Sequence, residues 1–158
     1  YSAIFRPISQ KVTIKIYEKR KILEPPRKKS VRREVKILQR LEHPNVVRIM
    51  DVVETNNHVN LVMEYVSGVS LASFLKGQPN GRVNEKEARK IFKPLIDGIA
   101  YLHSQSVSHR DIKLENVLLD GRLNPKLIDF GFATCTVDRV KLFCGTPSYM
   151  APEIVLKT

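Results

Sequence analysis

Several things are scarce in this 158-residue chain. It carries two cysteines, Cys135 and Cys144, at no spacing that a metal site or a redox pair uses. Both fit reduced thiols, the usual state in a cytoplasmic or nuclear protein, and that location is expected. No apolar run reaches the ~20 residues needed to cross a bilayer, and no secretory leader is recognisable, so no membrane span is expected. There is no internal repeat and no low-complexity stretch, which excludes solenoids and flexible arrays. Acidic residues are also few, 16 against 27 Lys and Arg, giving a net charge of +11.

That excess is local. Between Lys11 and Arg40 stand 12 basic and 3 acidic residues, which leaves +9 in one segment. A solvated helix face accounts for such a cluster first, and a docking patch for an acidic partner at this basic 11–40 segment is the sharper reading. Tyr17 is the only aromatic residue among these charges. The aromatic interleaving that nucleic-acid binders use is missing, and no nucleic-acid partner is expected.

With 42% hydrophobic and 27% charged residues, the chain can still bury a core. Lys11 to Tyr17 alternates, with Val12, Ile14 and Ile16 on one face and Thr13, Lys15 and Tyr17 on the other, which predicts a strand. Pro25-Pro26 reads as a break, followed by a helix over 30–41 whose buried stripe is Val31, Val35, Leu38 and Leu41. Glu34 falls inside that stripe. A buried carboxylate is costly unless paired, so it demands a cation, and Lys15 on the neighbouring strand is the obvious donor. Val46 to Val53 and Val59 to Met63 read as strands, and 70–76 as a short helix. A long helix is expected over 84–103, capped by Asn84, with Ala88, Ile91, Phe92, Leu95, Ile96, Ile99 and Leu102 as its core face and a kink at Pro94.

The stretch from Ser108 to Gly131 organises the rest. Val117 to Leu119 and Leu127 to Ile128 are short strand-like runs, with Asp120-Gly121 and Asn124-Pro125 as turn signals between them. Such a hairpin sets Asn116 beside Asp129 at its open end, with Asp111 and Lys113 one short loop away. Hard oxygen ligands of this kind suit Mg²⁺, which commonly arrives with substrate phosphates.

His109-Arg110-Asp111, Lys113, Asn116, Asp129-Phe130-Gly131 and Ala151-Pro152-Glu153 together resemble the signature set of eukaryotic protein kinases. Eleven specified positions are too many for a fortuitous string. Lys113, the Lys-x-Glu-Asn form and Phe143-Cys144-Gly145-Thr146-Pro147 look like the serine/threonine type, in the calmodulin-dependent-kinase-like group. The resemblance implies an α+β, two-lobed protein-kinase-like fold, with a small β-rich lobe and hinge over 1–66 and the upper part of a large helical lobe over 67–158. A complete kinase domain runs to about 250 residues. An excerpt truncated at both ends is therefore expected, lacking the first strand and the helices after Ala151-Pro152-Glu153, and as a fragment inactive and prone to associate.

By the same resemblance the cofactors are ATP and Mg²⁺, and the substrate is a protein with a Ser or Thr acceptor. Lys15, oriented by Glu34, would hold phosphate oxygens. Asn116 and Asp129 would bind metal, Asp111 would orient the acceptor hydroxyl, Lys113 would stabilise the transferring group, and Thr146 would form the shelf beneath the acceptor. The nucleotide would lie against Ile4, Thr13, Lys15, Met63, Glu64, Val66 and Leu118, with 63–66 as the hinge. Thr13 departs from the alanine usual at the roof of that pocket, and Ser70 from an acid usual in kinases that read basic motifs. Two other readings remain open: a pseudokinase scaffold that regulates a partner, and a small-molecule kinase of similar fold. Arg110 implies a pocket for a phosphate on the activation segment, yet Leu142 stands where relatives carry the phosphorylated threonine. Thr134 and Thr136 are the other hydroxyls nearby, and Asp138 could supply a fixed charge instead.

Overall fold

The computed structural model describes residues 1–5, 9–135 and 144–156. Strands β1 (Ser2–Phe5), β2 (Gln10–Glu18), β3 (Ile49–Glu54) and β4 (His58–Glu64) form an antiparallel sheet in the order β1-β2-β4-β3. The alternation of β2 is realised: Thr13, Lys15 and Tyr17 pair with Met63, Leu61 and Val59 and share one face. On the opposite face Val12 is buried while Ile16 is exposed, because that end of the strand has less covering it.

Helix α1 (Pro25–Leu38) starts earlier than the sequence suggests. Pro25 and Pro26 occupy its first two positions, where the missing N–H groups would have had no helical partner anyway. The pair opens the helix instead of breaking the chain before it. Val31, Glu34, Ile37 and Leu38 are its buried residues; Leu41 is buried too, but beyond the helix end. The expected strand over 46–53 is shorter, because Val46 and Val47 turn their backbone elsewhere. Val47 N–H donates to Leu127 O at 2.9 Å and Leu127 N–H to Asn45 O at 2.8 Å, tying the first sheet to the hairpin below.

That lower part comprises β5 (Gly68–Ser70), α2 (Leu71–Lys76), α3 (Glu85–Ser104), β6 (Val107–Ser108), β7 (Val117–Asp120), β8 (Pro125–Leu127), β9 (Thr134–Cys135) and α4 (Pro152–Leu156). Asn84 caps α3 by accepting the Glu87 N–H at 2.9 Å, and the helix runs unbroken through Pro94. Ile91, Leu95 and Leu102 are buried as expected, but Phe92 (62% exposed) and Ile96 (43%) are not. Each lies one residue round from the buried position before it, on a flank that no described element covers. β5 pairs with β7 and β7 with β8. Gly68 permits that approach, since a Cβ there would lie 1.7 Å from the Leu119 carbonyl oxygen. The hairpin turn is fixed by Asp120, whose Oδ1 accepts N–H groups of Arg122 (2.8 Å) and Asn124 (2.9 Å), and Pro125 joins the strand instead of the turn. Ile37, Leu38, Val47 and Leu61 from above and Leu95, Leu102, Leu119, Leu127 and Phe130 from below share one continuous core. No described helix is long and apolar enough to cross a membrane.

Candidate active site

At the open end of the hairpin, Ile128 N–H donates to Asn116 O at 2.9 Å, which sets Asn116 and Asp129 side by side. Asn116 turns its amide nitrogen back to Asp111, reaching both the backbone O and Oδ2 at 2.9 Å. Lys113 Nζ stands 3.0 Å from Asp111 Oδ2 and donates to Thr146 Oγ1 at 2.8 Å. The Thr146 hydroxyl in turn donates to Asp111 Oδ1 at 2.7 Å. Asp111, Lys113, Asn116 and Thr146 therefore form one closed network. Burial opposes ionisation of Asp111, yet the bonds from Thr146, Lys113 and Asn116 outweigh it and hold the carboxyl below its usual range. The hydrogen bond and charge of Asp111 raise the Lys113 ammonium. Behind them the His109 ring is buried, with Nε2 3.0 Å from Ile128 O and Nδ1 accepting the Asp111 N–H at 3.3 Å. Burial lowers its pKa and keeps it neutral. Arg110 (φ 67°) and Asp129 (φ 60°) both hold left-handed backbone, a conformation that the surrounding bonds must enforce on residues with side chains.

Lys15 joins the upper sheet to Asp129, the neighbour of this network. Its Nζ lies 2.7 Å from Glu34 Oε1 and 2.6 Å from Asp129 Oδ1. Glu34, 2% exposed, gives its second oxygen to the Tyr17 hydroxyl. Burial works against the Lys15 charge, but Glu34, Tyr17 and Asp129 more than offset it and raise its pKa. Burial likewise opposes Asp129 ionisation, and Lys15 with the Gly131 N–H (3.3 Å) holds that carboxyl below its usual value. A Cβ on Gly131 would stand 3.3 Å from Asp129 Oδ1 and 3.7 Å from Lys15 Nζ, so glycine leaves this pair room.

A cavity of about 320 Å³ opens beside Lys15 and Asp129. Six of the seven residues expected to meet a nucleotide line it: Thr13, Lys15, Met63, Glu64, Val66 and Leu118. Ile4 does not. It pairs with Lys11, two steps past the Ser2–Thr13 pair, and is 71% exposed; Tyr1 lines the cavity instead. The Glu64 side chain accepts from Arg48 N–H (2.6 Å) and Lys126 Nζ (2.7 Å), tying the hinge to β8. No residue pattern points to that tie. Period-two alternation does put Tyr17 on the Lys15 face of β2, without pointing to its bond with Glu34.

Asn116 and Asp129 bring hard oxygens together, the donor type that Mg²⁺ takes. Among the described residues no group of three or more His, Cys, Asp or Glu converges. A cation on this pair would thus draw its remaining ligands from water and substrate oxygens, which fits Mg²⁺ with a nucleotide and not a closed protein cage.

On the far side of Glu34 lies a larger cavity of about 920 Å³, lined in part by Lys21, Arg27, Lys29, Arg33 and Arg110. Arg110 donates from Nε to Phe132 O at 2.7 Å. Thr134 is buried in β9, its hydroxyl without a hydrogen-bond partner among the described residues, so it is poorly placed to accept a phosphate. Thr136, Asp138 and Leu142 lie outside the described residues.

Comparison with known proteins agrees with this geometry. The family model of the protein kinase domain matches residues 1–158. CBL-interacting protein kinase 25 of Oryza sativa subsp. japonica is 39% identical over 98% of this chain and 32% of its own length. CBL-interacting protein kinase 31 of the same organism is 42% identical over 91% of the chain and 33% of its own length. SNF1-related protein kinase catalytic subunit alpha KIN12 of Arabidopsis thaliana is 42% identical over 92% and 29%. The chain spans about a third of the length of these curated relatives. With a family model covering every residue, and Lys15, Glu34, Asp111, Lys113, Asn116 and Asp129 on one side of the molecule's core, the chain belongs to the protein kinase domain family.

Proposed function

We propose that this protein transfers phosphate from ATP to serine or threonine hydroxyls of protein substrates. The observation that carries the proposal is Lys15 held between Glu34 and Asp129, at 2.7 and 2.6 Å, because it assembles the phosphate-binding side of the site in one piece. Bound Mg-ATP supplies the phosphoryl group and neutralises its oxygens. Asn116 and Asp129 would hold the metal, Lys15 the phosphate oxygens, and the cavity from Thr13 to Leu118 the base. Asp111 is ionised and already accepts a hydroxyl, that of Thr146; an acceptor Ser or Thr would present its hydroxyl to the same carboxylate, which orients it in line. Lys113, beside Asp111, would stabilise the charge on the transferring group. The basic 11–40 segment is the surface we assign to an acidic docking partner; Lys28, Arg32 and Lys36 rim a groove between α1 and the β3–β4 edge, where Val52 and Val59 also line it.

The test is Mg-ATP turnover against a panel of Ser, Thr and Tyr peptides and small-molecule hydroxyls, using the full-length protein. Transfer to Ser or Thr peptides, falling about 10²–10⁴-fold in kcat for Asp111→Asn, is expected. Nucleotide binding without turnover would favour a scaffold, and transfer confined to small molecules would favour a metabolite kinase.

A further inference from the structure

We infer that Tyr17 is a positioning residue for phosphoryl transfer, fixing the Lys15–Glu34 pair through its hydroxyl; this rests on the function proposed above. Glu34 has two oxygens and almost no solvent. Lys15 takes Oε1, and without a second donor Oε2 would be a buried, unsatisfied half of a carboxylate. Tyr17 supplies that donor. Burial, then the Glu34 charge, pushes the phenol above its ordinary pKa, so it remains a neutral donor across the working range of pH.

The geometry is specific to this strand. Tyr17 stands two residues after Lys15 on the same face of β2, opposite Val59 of β4, so ring and ammonium reach Glu34 from neighbouring points. Lys15 Nζ is 5.4 Å from the Tyr17 ring centroid, close enough for attraction to the ring face. Lys15 is also pulled by Asp129 at 2.6 Å, a contact that does not depend on α1. The Tyr17 bond therefore acts on the side of the pair that can be lost: it holds the Glu34 carboxylate, and with it α1, against β2.

The experiment is Tyr17→Phe, which removes the hydroxyl and keeps the ring, combined with Glu34→Gln. Steady-state phosphotransfer and Mg-ATP affinity are both measured on the full-length protein, with melting as a check on folding. Tyr17→Phe is expected to lower kcat about tenfold, with the peptide KM unchanged. On the Glu34→Gln background the same change is expected to alter kcat less than about twofold, because its partner is already compromised. Equal kcat for wild type and Tyr17→Phe, or full additivity with Glu34→Gln, would overturn the inference. A lower melting temperature with unaltered kcat would also overturn it, assigning the hydroxyl to packing alone. If the wild type binds Mg-ATP but transfers nothing, the activity reading fails separately. Affinity then decides the point: a several-fold weakening in Tyr17→Phe that vanishes on the Glu34→Gln background supports the role, and an unchanged affinity refutes it.

Discussion

His109 shows most plainly how a single side chain can link the site to the fold. Its ring packs edge-on to Phe130 with centroids 4.8 Å apart, and both ring nitrogens are engaged by backbone. Bonding to a carbonyl through Nε2 while accepting through Nδ1 requires the neutral tautomer. Burial lowers its folded pKa, whereas the unfolded chain protonates near 6.5. Protons therefore bind the unfolded state preferentially, and the stability His109 contributes is present above about 6.5 and lost as pH falls through the lower folded value. Melting temperature should drop between pH 7.5 and 5.5, by about 2–4 °C for each kcal/mol involved. In His109→Gln a smaller drop is expected over the same interval. An equal drop in the variant would remove His109 as the source. Lys15 and Glu34 are the residues whose partnership was most legible in the sequence. A glutamate inside an apolar helical stripe must find a cation, and the adjoining strand offers one on the correct face. The Tyr17 hydroxyl was not legible in that way, because period-two alternation places it on the face without showing how closely α1 approaches.

Among the elements, the β7–β8 hairpin was readable from its turn residues, and α3 from its cap and period. What escaped was decided by neighbours. Helical periodicity cannot say which flank of α3 is covered, so it counts Phe92 and Ile96 as core although the packing leaves them exposed. Val46 and Val47 have strand composition, but the Val46 N–H turns to His43 O and the Val47 N–H to Leu127 O, away from the first sheet. Pro25-Pro26 fits a helix start as well as a break, and only the position of α1 against β2 distinguishes them. Among the described glycines, Gly68 leaves least room for a Cβ, and its strand leads into the Ser70 cap of α2. Gly68→Ala should separate β5 from β7 and cost about 1–3 kcal/mol, since backbone and not a flexible side chain stands in the way. Gly121, in the hairpin turn, has open space around it and no positive φ. Gly121→Ala should be neutral or stabilising by up to about 1 kcal/mol. Chemical denaturation of the two variants checks both, and equal stability would show that the β5–β7 contact yields without cost.

For the molecule as a whole, the sheet above and the hairpin below share one core and the Val47–Leu127 and Glu64–Lys126 contacts, and the Lys15 ammonium links them at the site, with the cavity we assign to a nucleotide beside it. The kinase signature makes most of this arrangement legible in the sequence, because it names residues that a hairpin and a catalytic loop must bring together. Ile4 is the exception, placed by analogy at a nucleotide contact and found outside the cavity. Regulation follows from what the activation segment carries. Leucine at 142 cannot accept a phosphate, and Thr134 is buried, so activity is expected without phosphorylation of that segment. The most direct measurement is peptide phosphorylation by the full-length protein from Mg-ATP, after phosphatase treatment, for wild type and Lys15→Met. Transfer should persist in the dephosphorylated wild type and fall by at least about 10²-fold in Lys15→Met, with the fold unchanged by circular dichroism. Full activity in Lys15→Met would contradict the site described above, and a loss on dephosphorylation that tracks a phosphate on Thr136 would contradict the absence of a switch.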